Sequence, residues 1–186
     1  DDTYRRLCWT GRDAAPGPPD APLAHVVVCG GLSKSVALTG WRVGWAVCPD
    51  ASFMARLVAL QQNVLTCAAT PIQIAARVAF TAEGEAAARE IRARFANRRA
   101  IVQARLAARP GVRTAPLEGA FYAWADASRV GGGRSFARAL LEEERIVTVP
   151  GEAFGPSGAD WLRISYAQDE SALERALDVI AARLSV

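Results

Sequence analysis

The sequence predicts an α/β chain that ends in an α+β portion. Two apolar, β-branched runs, His25–Cys29 and Val43–Cys48, flank a loop that opens with Gly30 and Gly31, the pattern of two buried strands joined by a functional loop. Glu83–Ala108 is an Ala/Arg/Glu stretch with apolar residues at helical spacing. Beyond Pro110-Gly111, short strand-like runs alternate with helical segments.

The elements follow in order. Asp1-Asp2-Thr3-Tyr4 reads as a charged start, and Trp9 to Leu23, rich in proline and glycine, as a surface loop. His25, the only histidine, opens the first strand with nothing in the sequence to pair with it. Asp50–Asn63 has helical periodicity in Phe53, Met54, Leu57, Val58 and Leu60, with Asp50 or Ser52 as the cap. Thr66–Pro71 breaks that helix, and Pro71 suits the first turn of the next, Ile72–Phe80. In the long helix Ile91, Phe95, Ile101, Val102 and Leu106 form the buried stripe. Its arginines (92, 94, 98, 99, 105) are expected to be solvated and ion-paired.

Val112–Ala115 and Ala120–Ala125 read as strands around a Glu118-Gly119 turn. Gly131-Gly132-Gly133 is a turn without the strand-then-helix context of a nucleotide loop. Ser135–Glu144 is helical, Ile146–Val149 a short strand, Trp161–Ala167 a strand, and Asp169–Leu184 an amphipathic helix. Arg163 stands among apolar residues on its strand, a costly position unless its charge is met.

Composition narrows the function. Apolar residues make up 51% of the chain, enough for a real core. The net charge of +3 comes from scattered arginines with no basic, aromatic-interleaved stripe, which argues against nucleic-acid binding. No apolar run is long enough to span a membrane and no signal-peptide pattern is present. Cys8, Cys29, Cys48 and Cys67 lack metal-ligand spacing and read as small buried hydrophobes in a reducing, cytoplasmic setting; no metal site is expected.

Lys34 is the only lysine; every other basic side chain save His25 is an arginine. An amine can lose its proton and attack a carbonyl, and a guanidinium cannot. A coding bias against lysine is the bland explanation. The neighbours favour chemistry: Lys34 sits on the loop between the strands, Ser33 supplies a hydroxyl beside it, and Arg42 lies where a returning loop brings its planar fork to a phosphate. A Schiff-base lysine, a hydroxyl and a phosphate-binding arginine make up much of a pyridoxal phosphate site.

Ser33-Lys34, five residues, then Gly40-Trp41-Arg42-Val43-Gly44 resembles the lysine signature of fold-type I, class I/II aminotransferases. The resemblance implies that Lys34 holds pyridoxal 5'-phosphate as an imine and that Ser33 and Arg42 hold its phosphate. It implies that Asp1 pairs with the ring nitrogen, in preference to Asp2, and that Tyr4 touches the ring oxygen, because Asp-x-x-Tyr is the family's spacing. Thr66 is a candidate for a neighbouring subunit's phosphate. Gly119–Tyr122, Pro150–Gly155 and Leu162–Ser165 are similar to the family's small-domain strand, turn and carboxylate-binding strand, so Arg163 is expected to bind the substrate α-carboxylate.

The resemblance further implies the end of a large domain with a mostly parallel sheet (1–82), a linking helix (83–108) and a small α+β domain (109–186). It covers about half of a complete family member, so the upstream half is expected to be missing. The implied activity moves an amino group between an amino acid and a 2-oxo acid through a Lys34 Schiff base, in a cytoplasmic homodimer of amino-acid metabolism. Three alternatives stay open: a carbon–sulfur lyase on the same scaffold, an aminotransferase-like sensing domain of a transcription regulator, and an inactive fragment.

Overall fold

The computed structural model describes residues 2–11 and 26–185, so Asp1, His25 and most of the predicted proline-rich loop lie outside the described residues. The chain divides into two compact units, Asp1–Ala93 and Arg94–Val186.

In the first unit, strand β1 (Val28–Gly31) runs into a single helical turn, α1 (Leu32–Ser35), and returns as β2 (Gly44–Val47). The two strands pair antiparallel with Gly30 opposite Trp45 and Gly31 opposite Gly44. Sequence reading ended the first strand at the glycines; in the structure they belong to it. The reason is close approach. A Cβ on Gly30 would stand 2.6 Å from the Trp45 ring, and one on Gly44 would stand 2.7 Å from the Gly30 carbonyl oxygen. The strands described here are antiparallel throughout, so the mostly parallel sheet expected of the first unit is not represented among the described residues. A connection of this length, with one helical turn, reverses the chain; a parallel partner needs a full crossover.

Helix α2 (Ala51–Val64) starts where predicted: the Asp50 side chain accepts from the Phe53 amide at 2.9 Å. Its apolar residues are not buried as the periodicity suggested. Val58 and Leu60 are exposed, and no α2 residue is fully buried among the described packing. Helix α3 (Thr70–Ala76) carries Pro71 in its first turn and tightens into a 3-10 turn, Arg77–Phe80. Leu32, Ala76 and Ala79 form the buried nucleus here, with Val36, Leu38 and Val43 packed on it.

Helix α4 (Ala82–Val102) crosses the unit boundary and ends in a π turn, Gln103–Ala107, closed by the Ala108 amide donating to the Gln103 carbonyl at 2.9 Å. Its arginines depart from the expected solvated, ion-paired face. Arg92 donates to the Arg6 and Cys8 carbonyls at 2.7 and 2.9 Å and lies over the Trp9 ring, and Arg99 donates to the Leu117 carbonyl at 2.8 Å. Arg105 follows expectation, paired with Glu174 and Asp178, and Arg94 is exposed. A guanidinium carries several donors on a long stem, so it can satisfy loop carbonyls that no side chain nearby could reach.

The second unit is a three-stranded antiparallel sheet, β3 (Tyr122–Asp126), β5 (Trp161–Ser165) and β4 (Val149–Pro150), in the order β3-β5-β4. Predicted strand Val112–Ala115 reduces to one bridge, Thr114 to Ala125, and strand Ile146–Val149 to the short β4. Helices α5 (Gly132–Glu144) and α6 (Glu170–Leu184) supply Phe136, Leu140, Leu173, Leu177 and Ile180 to the core. Alternation sorts the sheet. Ala123, Ala125, Leu162 and Ile164 are buried, whereas Tyr122, Trp124, Trp161 and Arg163 occupy the other, half-open face. Among the cysteines, Cys29 and Cys67 are exposed and Cys8 and Cys48 half-buried, none of them in a disulfide, which corrects the expectation that they are buried. Cys29 lies on the two-stranded ribbon and Cys67 in the break after α2.

Candidate active site

Lys34 owes its direction to the turn that carries it. Leu32 and Ser35, three apart on α1, are both buried, with Leu32 in the nucleus and the Ser35 hydroxyl donating to the Gly31 carbonyl at 3.4 Å. Residues on that face point inward, so Ser33 and Lys34 are carried on the other side, both half-buried.

The loop beyond α1 brings Arg42 back toward Ser33 through one residue. The Thr39 hydroxyl donates to the Ser33 carbonyl at 2.8 Å, and the Thr39 carbonyl accepts from Arg42 Nη1 at 2.9 Å. Thr39 opens a 3-10 turn, Thr39–Trp41, and Arg42 closes it in the left-handed region at φ 54° and ψ 51°. A non-glycine residue there is uncommon and costs roughly 1 kcal/mol. Ala37, at φ 57°, adds a second such residue to the same loop. Sequence reading named Ser33, Lys34 and Arg42 as candidates and gave Thr39 no role.

The N-terminal segment is tied to this region. The Asp2 amide donates to the Cys29 carbonyl at 2.7 Å, and the turn Arg5–Leu7 packs against α1. Tyr4 caps that turn, half-buried, its carbonyl accepting from the Leu7 amide at 2.8 Å. Asp2, the competing acid, has its carboxylate 3.7 Å from Arg5. Asp1 lies outside the described residues. A cleft of about 540 Å³ lies beside α1, but its lining includes Leu32 and Ser35 and not Ser33, Lys34 or Arg42. Two of the arginines that line it are engaged in structure: Arg6 makes a two-pronged pair with Glu85, which holds the Glu85 carboxyl below its usual range, and Arg92 serves carbonyls. Thr66 is exposed in the α2–α3 break at φ 61°.

Arg163 belongs to the second unit. It stands on β5 directly between Trp124 of β3 and Val149 of β4. Its guanidinium carbon lies 4.3 Å from the Tyr122 ring centroid and 4.3 Å from the Phe154 ring centroid. The Nε atom is buried with no hydrogen-bond partner, and among the described residues no carboxylate pairs with the group. The predicted pair Phe121 and Tyr122 divides by strand alternation. Phe121 is buried and stacks on Phe95 at 5.0 Å, whereas Tyr122 faces Arg163.

Residues 1–180 match the family described as aminotransferase class I and II. The chain belongs to that family. An aspartate aminotransferase of Pyrococcus horikoshii is 32% identical to it over 182 residues, covering 97% of this chain and 46% of the relative. Aromatic-amino-acid aminotransferase 2 of Thermococcus litoralis is 33% identical over 181 residues, with 96% and 46% covered. The crystal structure of an aromatic aminotransferase from Pyrococcus horikoshii superposes with a TM-score of 0.89 at 32% identity, covering all of this chain and 49% of that one. The chain therefore spans about half the length of the curated relatives it matches, and its fold is that of these aminotransferases.

Ser33, Lys34 and Arg42 make a donor set that fits pyridoxal phosphate. An amine, a hydroxyl and a guanidinium sit on one loop, the Ser33 hydroxyl makes no hydrogen bond among the described residues, and one Arg42 nitrogen is spent on the loop itself.

Proposed function

We propose that this chain carries the lysine-bearing portion of a pyridoxal phosphate-dependent aminotransferase that moves an amino group between an amino acid and a 2-oxo acid. One observation carries the reading: the Ser33–Lys34 turn and Arg42 are linked through Thr39 on a single loop of a chain in this family. When bound, the cofactor supplies an electron sink for the pair left on the donor's α-carbon.

The chain's own residues do the rest. Lys34 Nζ would hold the cofactor and would serve as the general base that takes the proton from the donor's α-carbon. Ser33 and Arg42 hold the phosphate, the hydroxyl as a donor and the guanidinium as a fixed planar charge. Asp1 would keep the ring nitrogen protonated and Tyr4 would donate to the ring oxygen. Arg163 takes the α-carboxylate, for which a half-buried guanidinium with no carboxylate among the described residues is suited. The active unit is a cytoplasmic homodimer, with a large-domain portion at 1–82, a linking helix at 83–108 and a small domain at 109–186. The names of the relatives span aspartate, aromatic amino acids and a furan phosphate, so the donor's side chain is left unassigned.

The test is a cofactor trap. The chain is incubated with pyridoxal phosphate, reduced with borohydride and mapped by mass spectrometry. Lys34 is the only lysine, so the α-amino terminus is the main competitor. An adduct on Lys34 that is absent from Lys34→Ala is expected. An adduct confined to the terminus would refute the assignment for this chain.

A further inference from the structure

We infer that Tyr122 and Phe154 are positioning residues, which hold the Arg163 guanidinium by its faces so that only its terminal nitrogens are offered to a carboxylate. The inference rests on the reading of Arg163 as a carboxylate site. Both rings stand 4.3 Å from the guanidinium carbon, well inside the range over which a cation is attracted to a ring face. They come from different elements. Tyr122 begins β3, and Phe154 ends the 3-10 turn Gly151–Phe154 that follows β4.

Each ring is itself held. Tyr122 packs on Phe121 at 4.7 Å, and Phe154 meets Trp124 edge-on at 5.3 Å. The turn under Phe154 has little freedom, because a Cβ on Gly151 would stand 2.3 Å from the Gly158 carbonyl oxygen. The Arg163 Nε atom is buried and has no acceptor among the described residues. A ligand therefore cannot use the Nε edge and must approach the two Nη groups. Two aromatic faces cost less than a carboxylate clamp would. They restrain the side chain's rotation without neutralising the charge that the ligand needs. A carboxylate in the same place would hold Arg163 equally well and cancel it.

The experiment uses the full chain, with sodium propionate as the probe. Arginine side-chain N–H signals are followed by NMR, and Arg163→Gln identifies those of Arg163. The expected result is that propionate moves the Arg163 Nη signals and leaves Nε nearly fixed. Tyr122→Leu and Phe154→Leu should each weaken binding about three- to tenfold. Tyr122→Phe and Phe154→Tyr should restore it, since they keep the ring; a merely structural role would not distinguish variants in this way at equal thermal stability. If Arg163→Gln abolishes binding while both leucine variants bind as the wild type does, the positioning role is overturned and the carboxylate reading survives. If Nε moves as far as Nη, the end-on geometry is wrong. Propionate binding that is absent, or unchanged by Arg163→Gln, overturns both readings together.

Discussion

The Thr39 hydroxyl donates to the Ser33 carbonyl at 2.8 Å and so ties the end of the loop to the turn that bears Lys34. Its own carbonyl receives Arg42 at 2.9 Å, which makes Thr39 the joint between the lysine turn and the arginine. Thr39→Val keeps the shape and removes the donor. The pair is exposed, so no buried group is stranded, and the loss is about 1 kcal/mol. Pyridoxal phosphate binding, followed by absorbance, should weaken about fivefold. Thr39→Ser should restore it, with a thermal midpoint close to wild type, whereas that of Thr39→Val should fall by a few degrees.

Asp169 caps α6, accepting from the Ser171 and Ala172 amides at 3.0 and 3.2 Å and from the Ser171 hydroxyl at 2.7 Å. Asp169→Ala should lower stability in urea, and Asp169→Asn by only part of that loss. The hydrogen bond from the Ser171 hydroxyl and those from the amides hold the Asp169 carboxyl below its usual range. A depressed carboxyl stabilises the fold above its unfolded pKa, about 4, and loses that contribution as pH falls through the folded value. The gap between wild type and Asp169→Ala should therefore narrow in acid.

Asp126 makes a second acid-sensitive contact. Burial pushes its carboxyl up, but the Ser128 amide and hydroxyl and the Arg113 guanidinium outweigh burial and hold it below the usual range. The same sign applies, with full stabilisation above about pH 4 and loss below it. Arg113 is 71% exposed, so solvent screens the pair, and Asp126→Asn should cost no more than about 1 kcal/mol at neutral pH. Denaturation of wild type and variant at pH 7 and pH 3 checks this; a difference that grows toward acid would contradict it.

Glycines separate by what a methyl group would meet. At Gly133 a Cβ would stand 2.0 Å from the Trp161 carbonyl oxygen, which is backbone and cannot swing aside. Gly133→Ala should destabilise the second unit by about 1–3 kcal/mol, the cost typical of overpacking. At Gly40 a Cβ meets nothing within 4 Å, and Gly40→Ala should leave the unfolding free energy within about 0.5 kcal/mol of wild type.

Leu177 is fully buried on α6. Leu177→Ala removes packed atoms and leaves a cavity, for an expected loss of about 2–5 kcal/mol by chemical denaturation. Leu141, on α5 but 49% exposed, should tolerate the same change with less than about 1 kcal/mol.

Much of the fold was legible in the chain because it rests on local pattern. The Asp50 cap, the Pro71 helix start, the long α4 and the amphipathic α6 follow from spacing and capping chemistry that act within a few residues. The site was legible to the same depth. Ser33, Lys34 and Arg42 could be chosen from residue type and spacing alone, whereas Thr39 could not, since its part depends on how the loop returns. Strand ends were misplaced at Gly30 and Gly31, where glycine signals a stop in sequence but here admits the Trp45 ring.

The sequence by itself determined which chemistry is available: one amine among guanidiniums, set in a family signature and followed by helices and strands of readable period. Only the tertiary structure decided which arginines are held by what. Arg92 reaches carbonyls at Arg6 and Cys8, far away along the chain, and Arg163 lies against rings from two other elements. The physical reason is range. Propensity and capping act over a turn or two, but the partner of a long charged side chain is fixed by which distant backbone or ring the packing brings within a few ångströms.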